Sequence, residues 1–326
     1  MQLLDCSDID INNFKGSVVT IGNFDGVHRG HVELFRRLKD RGDQFGLPTV
    51  VLTFEPHPLA VLAPEAAPAL ITTFSQKAEL IEQARIDYLA VIKFTREFSQ
   101  IRAESFVRNH LCYVFGMRHI IIGHDYAFGR DRSGNCATLV VMGAECGFSI
   151  EDLEPFGDND KIFSSSLARR LISNGEMAGV AAILGRYHVI SGRVVHGRNA
   201  GAKMGFPTAN IVTDNELLPP DGVYAVMVSV GDRLIQGACN IGKNPTFDGK
   251  NRTIEVFLLD YSSQLYDREL SVCFVQRLLD ERKFSDTATL IDAISRDVAI
   301  TRTVLSSVDN DLIKPLFGLK TNWGLV

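Results

Sequence analysis

Nowhere does the chain approach the roughly 18 consecutive apolar residues that a membrane span requires, although 45% of its 326 residues are hydrophobic. Its opening, MQLLDCSDID, is acidic and lacks the basic-then-apolar architecture of a secretory signal. Together these absences set the expectation of a cytoplasmic protein that works away from membranes. Cysteine is scattered: Cys6, Cys112, Cys136, Cys146, Cys239 and Cys273 contain no CxxC pair. Paired-cysteine zinc spacing is therefore missing, and reduced thiols are the simplest reading. Positive charge is not in excess either, since 34 basic against 39 acidic residues give −5. That balance argues against a general nucleic-acid binder, yet a local cluster can still bind a phosphorylated small molecule. There is no fixed-period repeat and no low-complexity tract.

What is present is enough chain for two domains. Up to about residue 155, strand-like and helix-like segments alternate. Ser17–Ile21, Thr49–Phe54, Tyr88–Phe94, His119–Ile122 and Phe148–Leu153 read as strands. His31–Phe45, Ser75–Ala84, Ala103–Phe115 and Cys136–Glu145 read as helices between them. Such alternation implies an α/β domain with a parallel sheet. After about residue 185 the rhythm changes. Val189–Val195, Gly222–Val230, Leu234–Ile241, Thr253–Leu259 and Leu270–Val275 are short runs separated by Gly, Asn, Asp and Pro. They suggest an antiparallel barrel or sandwich, closed by one long helix over Phe284–Leu305. The expected division is residues 1–184 and 185–326, after a helical stretch at Met177–Leu184.

The strongest local signal is Gly22-Asn23-Phe24-Asp25-Gly26-Val27-His28-Arg29-Gly30-His31, between the first strand and the first helix. The glycines allow tight turns and close backbone approach to a ligand. The helix start offers unpaired N–H groups and partial positive charge, which suits an anion. His28 and His31, three apart, share one side of the turn and can donate to phosphate oxygens, stabilising charge that builds on a reacting phosphorus. A Gly-rich turn with two surface histidines is the plain alternative; strand, glycines, histidines and helix in register favour the functional reading.

This segment resembles the HxGH nucleotidylyltransferase superfamily and, more narrowly, the bacterial bifunctional riboflavin kinase/FMN adenylyltransferase family. Thr53-Phe54-Glu55-Pro56-His57-Pro58, the stretch from Gly123 to Gly134, and Phe163-Ser164-Ser165-Ser166-Leu167-Ala168-Arg169 are similar to further segments of that family. The resemblance implies a Rossmann-like N-terminal domain in which Gly22, Asn23, Phe24, Ser164, Ser165, Ser166 and Arg169 bind ATP and phosphate. Each serine could equally be an ordinary N-cap. Arg169 and Arg170 stand where cations disfavour a helix start, a sign that a bound triphosphate reverses, so Arg169 reads as a phosphate ligand and Arg170 as surface. His57, Asp125, Tyr126 and Phe128 are expected on the flavin side of the pocket. For His57 the alternative is a rigid loop exit, for Asp125 a loop cap, and for the two aromatics ordinary packing.

In the second half, Gly205-Phe206-Pro207-Thr208-Ala209-Asn210 resembles the core motif of riboflavin kinases. Thr208 and Asn210 alternate on one strand face, and the resemblance makes them the magnesium and phosphate holders; magnesium needs few protein ligands. Gly201, Lys203, Gly205, Pro207 and Thr208 are implied for ATP. Glu255, in the alternating Thr253–Phe257 strand, is implied as the base that takes the proton of the riboflavin 5′-hydroxyl. Asn240-Ile241-Gly242, Pro245-Thr246-Phe247 and Glu281-Arg282-Lys283-Phe284 agree with the family as well. Departures stand at Ala200, Ala202, Phe257 and Leu279, where the family often carries polar or basic residues; Arg198 and Lys203 are candidates to compensate. Gly237–Asn244 nearly spells a P-loop, but Asn244 replaces the required Ser/Thr and the region reads as all-β.

The expectation is an enzyme that makes FMN from riboflavin and FAD from FMN, with ATP as co-substrate and Mg2+ as cofactor. It is expected as a monomer or weak homo-oligomer that binds no nucleic acid. The rivals are an adenylyltransferase whose kinase-like half only binds flavin, and a non-catalytic flavin carrier.

Overall fold

The structure, a computed structural model, describes residues 1–6, 14–158, 161–197, 200–243, 252–282, 286–309 and 312–313. Contacts divide the chain into two compact bodies, Met1–Ala69 with Phe74–Ser165 and Leu70–Thr73 with Ser166–Val326.

The first body carries strands β1 (Gln2–Asp5), β2 (Ser17–Ile21), β3 (Thr49–Glu55), β4 (Tyr88–Lys93), β5 (Met117–Gly123) and β6 (Ser149–Leu153). Between them run α1 (Arg29–Phe45), α2 (Pro58–Leu62), α3 (Phe74–Gln83), α4 (Arg96–Ser99), α5 (Ala103–Phe106) and α6 (Cys136–Cys146). The strands form one sheet in the order β1-β4-β3-β2-β5-β6, and every pairing is parallel. All five residues of β2 are buried, which explains its uninterrupted run of small and β-branched side chains: a central parallel strand is covered on both faces. In α1 the buried residues Leu34, Phe35, Leu38 and Gly42 lie on one side, while Glu33, Arg36 and Asp40 form ion pairs on the exposed side. Gly46 ends α1 in the left-handed region at φ 63°. A two-stranded ribbon of β7 (Gly157–Asp158) and β8 (Lys161–Ile162) closes the body.

Two local differences from the sequence reading have physical causes. Ala103–Phe115 is not a uniform α-helix: α5 passes into a π-helical stretch at Val107–Val114. Val107, Leu111 and Phe115 are all buried in the core and recur every fourth residue, longer than the 3.6-residue α-turn; the wider i→i+5 turn keeps them facing inward. Strand β1 carried no signal, because three of its four residues are exposed and its pairing with β4 is made across the fold.

The second body holds α7 (Ser165–Asn174) from Ser166 onward, α8 (Met177–Leu184), β9 (His188–Val195), α9 (Ala200–Lys203), β10 (Thr208–Thr213), β11 (Gly222–Val230), β12 (Arg233–Lys243), β13 (Arg252–Leu258), β14 (Glu269–Leu279) and α10 (Thr287–Leu305). The strands close into an antiparallel barrel in the order β10-β13-β12-β11-β14-β9, so the choice between barrel and sandwich falls to the barrel. One face of β13 lines the interior: Ile254, Val256 and Leu258 are buried, while the residues between them are only half-buried. The near P-loop at Gly237–Lys243 lies within β12, where its backbone is committed to ladders with β11 and β13. The final helix starts at Thr287, capped by the Asp286 carboxylate, which accepts from Thr289 N at 2.8 Å. The expected Arg198, Asn244, Pro245, Thr246, Phe247, Lys283 and Phe284 features lie outside the described residues.

Candidate functional site

At the carboxyl end of β2 the chain makes a tight, strained turn into α1. Phe24 sits at φ 51° and Val27 at φ 37°, left-handed conformations that cost a non-glycine residue about 1–3 kcal/mol each. Packing and hydrogen bonds hold them there. Phe24 is buried and meets the His31 ring edge-on at 5.2 Å and the Phe35 ring at 5.0 Å, and Val27 N donates to Phe24 O at 3.2 Å. His28 is the N-cap of α1, its own side chain makes no capping hydrogen bond, and no acid stands in the first turn. The positive end of the α1 dipole therefore faces this turn, a setting that suits an anion. The His28 and His31 rings stack with centroids 3.6 Å apart and planes 25° from parallel. Two charged imidazoles near 4 Å apart would repel by about 4 kcal/mol at an effective dielectric of about 20, a penalty that an adjacent phosphate reverses. Gly30 makes the stack possible: a Cβ there would lie 3.1 Å from His28 Nδ1 and Cε1.

Around this turn the first body gathers several of the expected residues. His57 caps α2 by accepting from Leu59 N through Nδ1 at 3.2 Å, and its Nε2 faces Asn23 Nδ2 at 3.2 Å. Ser165 Oγ donates to the Asp25 carbonyl at 2.8 Å. Arg29 lies over the Phe163 ring at 4.9 Å. The loop after β5 places Asp125 at the surface. Tyr126 and Phe128 stack at 5.6 Å, but Phe128 belongs to the core with Phe106. The buried Tyr126 hydroxyl has no hydrogen-bond partner in the structure, and burial pushes that phenol up. Ser164 is half-buried and Ser166 exposed; Arg169 is half-buried and Arg170 exposed.

Lys77 of α3 escaped the sequence reading. A lysine in an amphipathic helix ordinarily faces water, yet this side chain is 9% exposed. Its ammonium lies 3.4 Å from the Asn23 carbonyl, 3.3 Å from Thr53 Oγ1 and 3.8 Å from Glu55 Oε2. Burial holds it below the usual lysine range, while the carboxylates of Glu55 and Asp25 pull it upward.

In the second body, Thr208 and Asn210 are half-buried and alternate with buried Ala209 and Ile211 on β10, so both stand on the outer face of the barrel. Glu255 pairs with Asn210 on one side and Asn240 on the other. Thr208 Oγ1 donates to Glu255 Oε2 at 3.3 Å. Gly201 opens the preceding turn: Phe206 N donates to its carbonyl at 2.8 Å, and an added Cβ would collide with Phe206 O. Lys203, Gly205 and Pro207 are exposed on that turn. Phe257, one of the departures, packs edge-on against Phe206 at 5.4 Å. Asn240 and Glu281, quoted from sequence without a role, both come within 3.5 Å of the Cβ position at Gly242, the Glu281 carboxylate closest at 2.6 Å. Among the described residues no group of three or more His, Cys, Asp or Glu is arranged to hold a metal. The Thr208, Asn210 and Glu255 oxygens are nevertheless hard donors of the kind magnesium accepts beside phosphates and water.

Comparison with known proteins adds an independent line. The FAD synthetase family matches residues 10–167 and the riboflavin kinase family residues 184–305. The bifunctional riboflavin kinase/FMN adenylyltransferase of Escherichia coli K12 is 36% identical over 289 residues, covering 88% of this chain and 92% of that protein. Its namesake in Haemophilus influenzae is 35% identical over 294 residues, covering 90% and 96%. A crystal structure described as a macrolide-efflux protein from Streptococcus pneumoniae superposes with a TM-score of 0.85 at 29% identity, covering 93% of this chain and 99% of that one. Among the described residues no helix is long and apolar enough to cross a membrane.

Proposed function

This chain belongs to the bifunctional riboflavin kinase/FMN adenylyltransferase family and carries both of its enzyme domains, and we propose how its residues divide the two reactions. The protein is a transferase that phosphorylates riboflavin to FMN and adenylylates FMN to FAD, with ATP as co-substrate of each step. The functional boundary is set at residues 184 and 185, so that the adenylyltransferase half includes α7 and α8.

In the first step the riboflavin 5′-hydroxyl attacks the γ-phosphorus of ATP, the bond from that phosphorus to the β-phosphate oxygen breaks so that ADP departs, and Glu255 accepts the hydroxyl proton. Thr208 orients that carboxylate by donating to it. Gly201, Lys203, Gly205 and Pro207 form the turn that receives the nucleotide. Mg2+, held by Thr208 and Asn210 together with phosphates and water, would supply neutralisation of phosphate charge. In the second step the FMN phosphate attacks the α-phosphorus of ATP and pyrophosphate departs. His28 and His31 donate to the oxygens on which charge accumulates. Gly22, Asn23 and Phe24 bring the backbone to the phosphates, and Ser164, Ser165, Ser166 and Arg169 are assigned to the triphosphate on their motif. His57, Asp125 and Tyr126 face the flavin side. The assigned compartment is the cytoplasm, which suits six free cysteines, and the assigned assembly is a monomer or weak homo-oligomer.

The observation that carries this reading is the stacked imidazole pair set at the start of α1, beside the strained turn that leaves β2. Product chromatography after incubation with riboflavin and Mg-ATP alone is the test. FMN appearing first and FAD second, with pyrophosphate released, is the expected result. FAD formed only when FMN is supplied would leave the kinase half as a flavin-binding module, and no FAD from FMN would sink the assignment of the first body.

A further inference from the structure

We infer that Lys77 is a positioning residue for FMN adenylylation: its ammonium ties the Asn23 carbonyl to Thr53 and Glu55 and so holds the strained turn that carries His28 and His31 in its phosphate-accepting shape. The inference rests on the reading of that turn as the adenylylation site.

Three features point to it. The polar contacts of Lys77 reach groups that frame the site: the Asn23 carbonyl at 3.4 Å, the Thr53 hydroxyl at 3.3 Å and the Glu55 carboxylate at 3.8 Å. Thr53 Oγ1 itself donates to the same Asn23 carbonyl at 3.3 Å, so two donors from two elements converge on one backbone oxygen. The next residue is Phe24, the first of two non-glycine residues held in the left-handed region. A turn in that conformation persists only where its surroundings over-determine it. The ammonium is buried, with the face of Phe74 5.5 Å away. Burying a cation is unfavourable unless it is paired and hydrogen-bonded, so the cost is accepted at the one place where the turn leaves β2. Asn23 also meets His57 through its side chain, which extends the tie to the start of α2. Releasing the Asn23 carbonyl is expected to let the turn relax and move the imidazoles off the reacting phosphorus, where small misplacements are costly.

The experiment compares the full-length wild type with Lys77→Met and Lys77→Arg in two measurements. One is steady-state FAD formation from FMN and Mg-ATP. The other is hydrogen exchange of the backbone amides from Gly22 to His28, without any ligand. For Lys77→Met, kcat is expected to fall about 10- to 100-fold with KM for ATP changed less than about threefold. The turn amides are expected to exchange at least about tenfold faster, while those of central α1 and β3 keep their rates. Lys77→Arg, which keeps a cation and its donors, is expected to recover most of both. Activity and turn exchange both unchanged in Lys77→Met overturn the inference. So does a loss of activity with unchanged turn exchange, which would mean that Lys77 touches substrate, and so does faster exchange throughout the body, which marks a general structural role. Should Lys77→Met fail to fold, Thr53→Val carries the same two measurements, with a kcat loss of about three- to tenfold expected; no change in either overturns the inference. The exchange measurement reads the turn without catalysis, so its outcome stands even if wild type makes no FAD and the functional assignment itself fails.

Discussion

A single methyl group added at position 30 would meet the His28 ring at 3.1 Å, so the ring must give way by a few tenths of an ångström. Gly30→Ala is therefore expected to lower FAD formation by about tenfold or more, since modest displacement of catalytic groups is expensive, while FMN formation from riboflavin keeps its rate. His28→Ala removes a phosphate donor outright and is expected to cost about 10²- to 10³-fold in FAD formation, again sparing the kinase step. Glu255→Gln is expected to do the reverse: FMN formation falls by about 10²-fold or more, and FAD formation from supplied FMN is kept. Separate assays of the two steps check all three variants, and an equal loss of both activities in any of them contradicts two independent sites. Much of this was legible in residues alone, because His28, Gly30, Thr208, Asn210 and Glu255 sit in contiguous motifs whose spacing carries the chemistry. Lys77 was not, because burial reverses the ordinary meaning of a lysine in a helical pattern and only the packed body reveals burial.

Asn135 is the N-cap of α6, after the loop that presents Asp125 and Tyr126. The Asn135 side chain accepts from Thr138 N at 3.1 Å, and Thr138 Oγ1 accepts in return from Asn135 N at 3.4 Å, completing a capping box. Asn135→Ala is expected to destabilise the first body by about 1 kcal/mol, read as a lowered denaturant midpoint with unchanged slope. Elements whose apolar period matched a regular structure were readable, as β2, β3, α1 and α8 were. The π-helical stretch was misread because a four-residue repeat is close to that of an ordinary helix. Strand β1 was missed because an exposed edge strand has no buried face to pattern its sequence.

Across the whole molecule, His110, His119 and His188 are all held below the ordinary histidine range, in each case chiefly by burial. His188, the first residue of β9 and 2% exposed, is lowered from 6.5 to about 4, with the Leu217 backbone opposing the shift and Arg186 adding to it. The unfolded chain takes up this proton on passing below 6.5 whereas the folded barrel resists it until about 4. The stability due to neutral burial is thus complete above 6.5 and lost as pH falls toward 4, by about 3 kcal/mol in all. Melting temperature measured from pH 7 to pH 4 is expected to fall for the barrel transition, and His188→Gln to flatten that fall; an unchanged slope would contradict it. On this scale the division between sequence and structure is clear. The linear chain by itself determined the family, both halves, the strand–helix rhythm and the motif residues, because each depends on neighbours within a few positions. Barrel closure, the grouping of Leu70–Thr73 with the second body and the burial of Lys77 behind the phosphate turn were decided only by tertiary structure. Each of these joins residues distant along the chain, and what such a residue does depends on the solvent its neighbours remove.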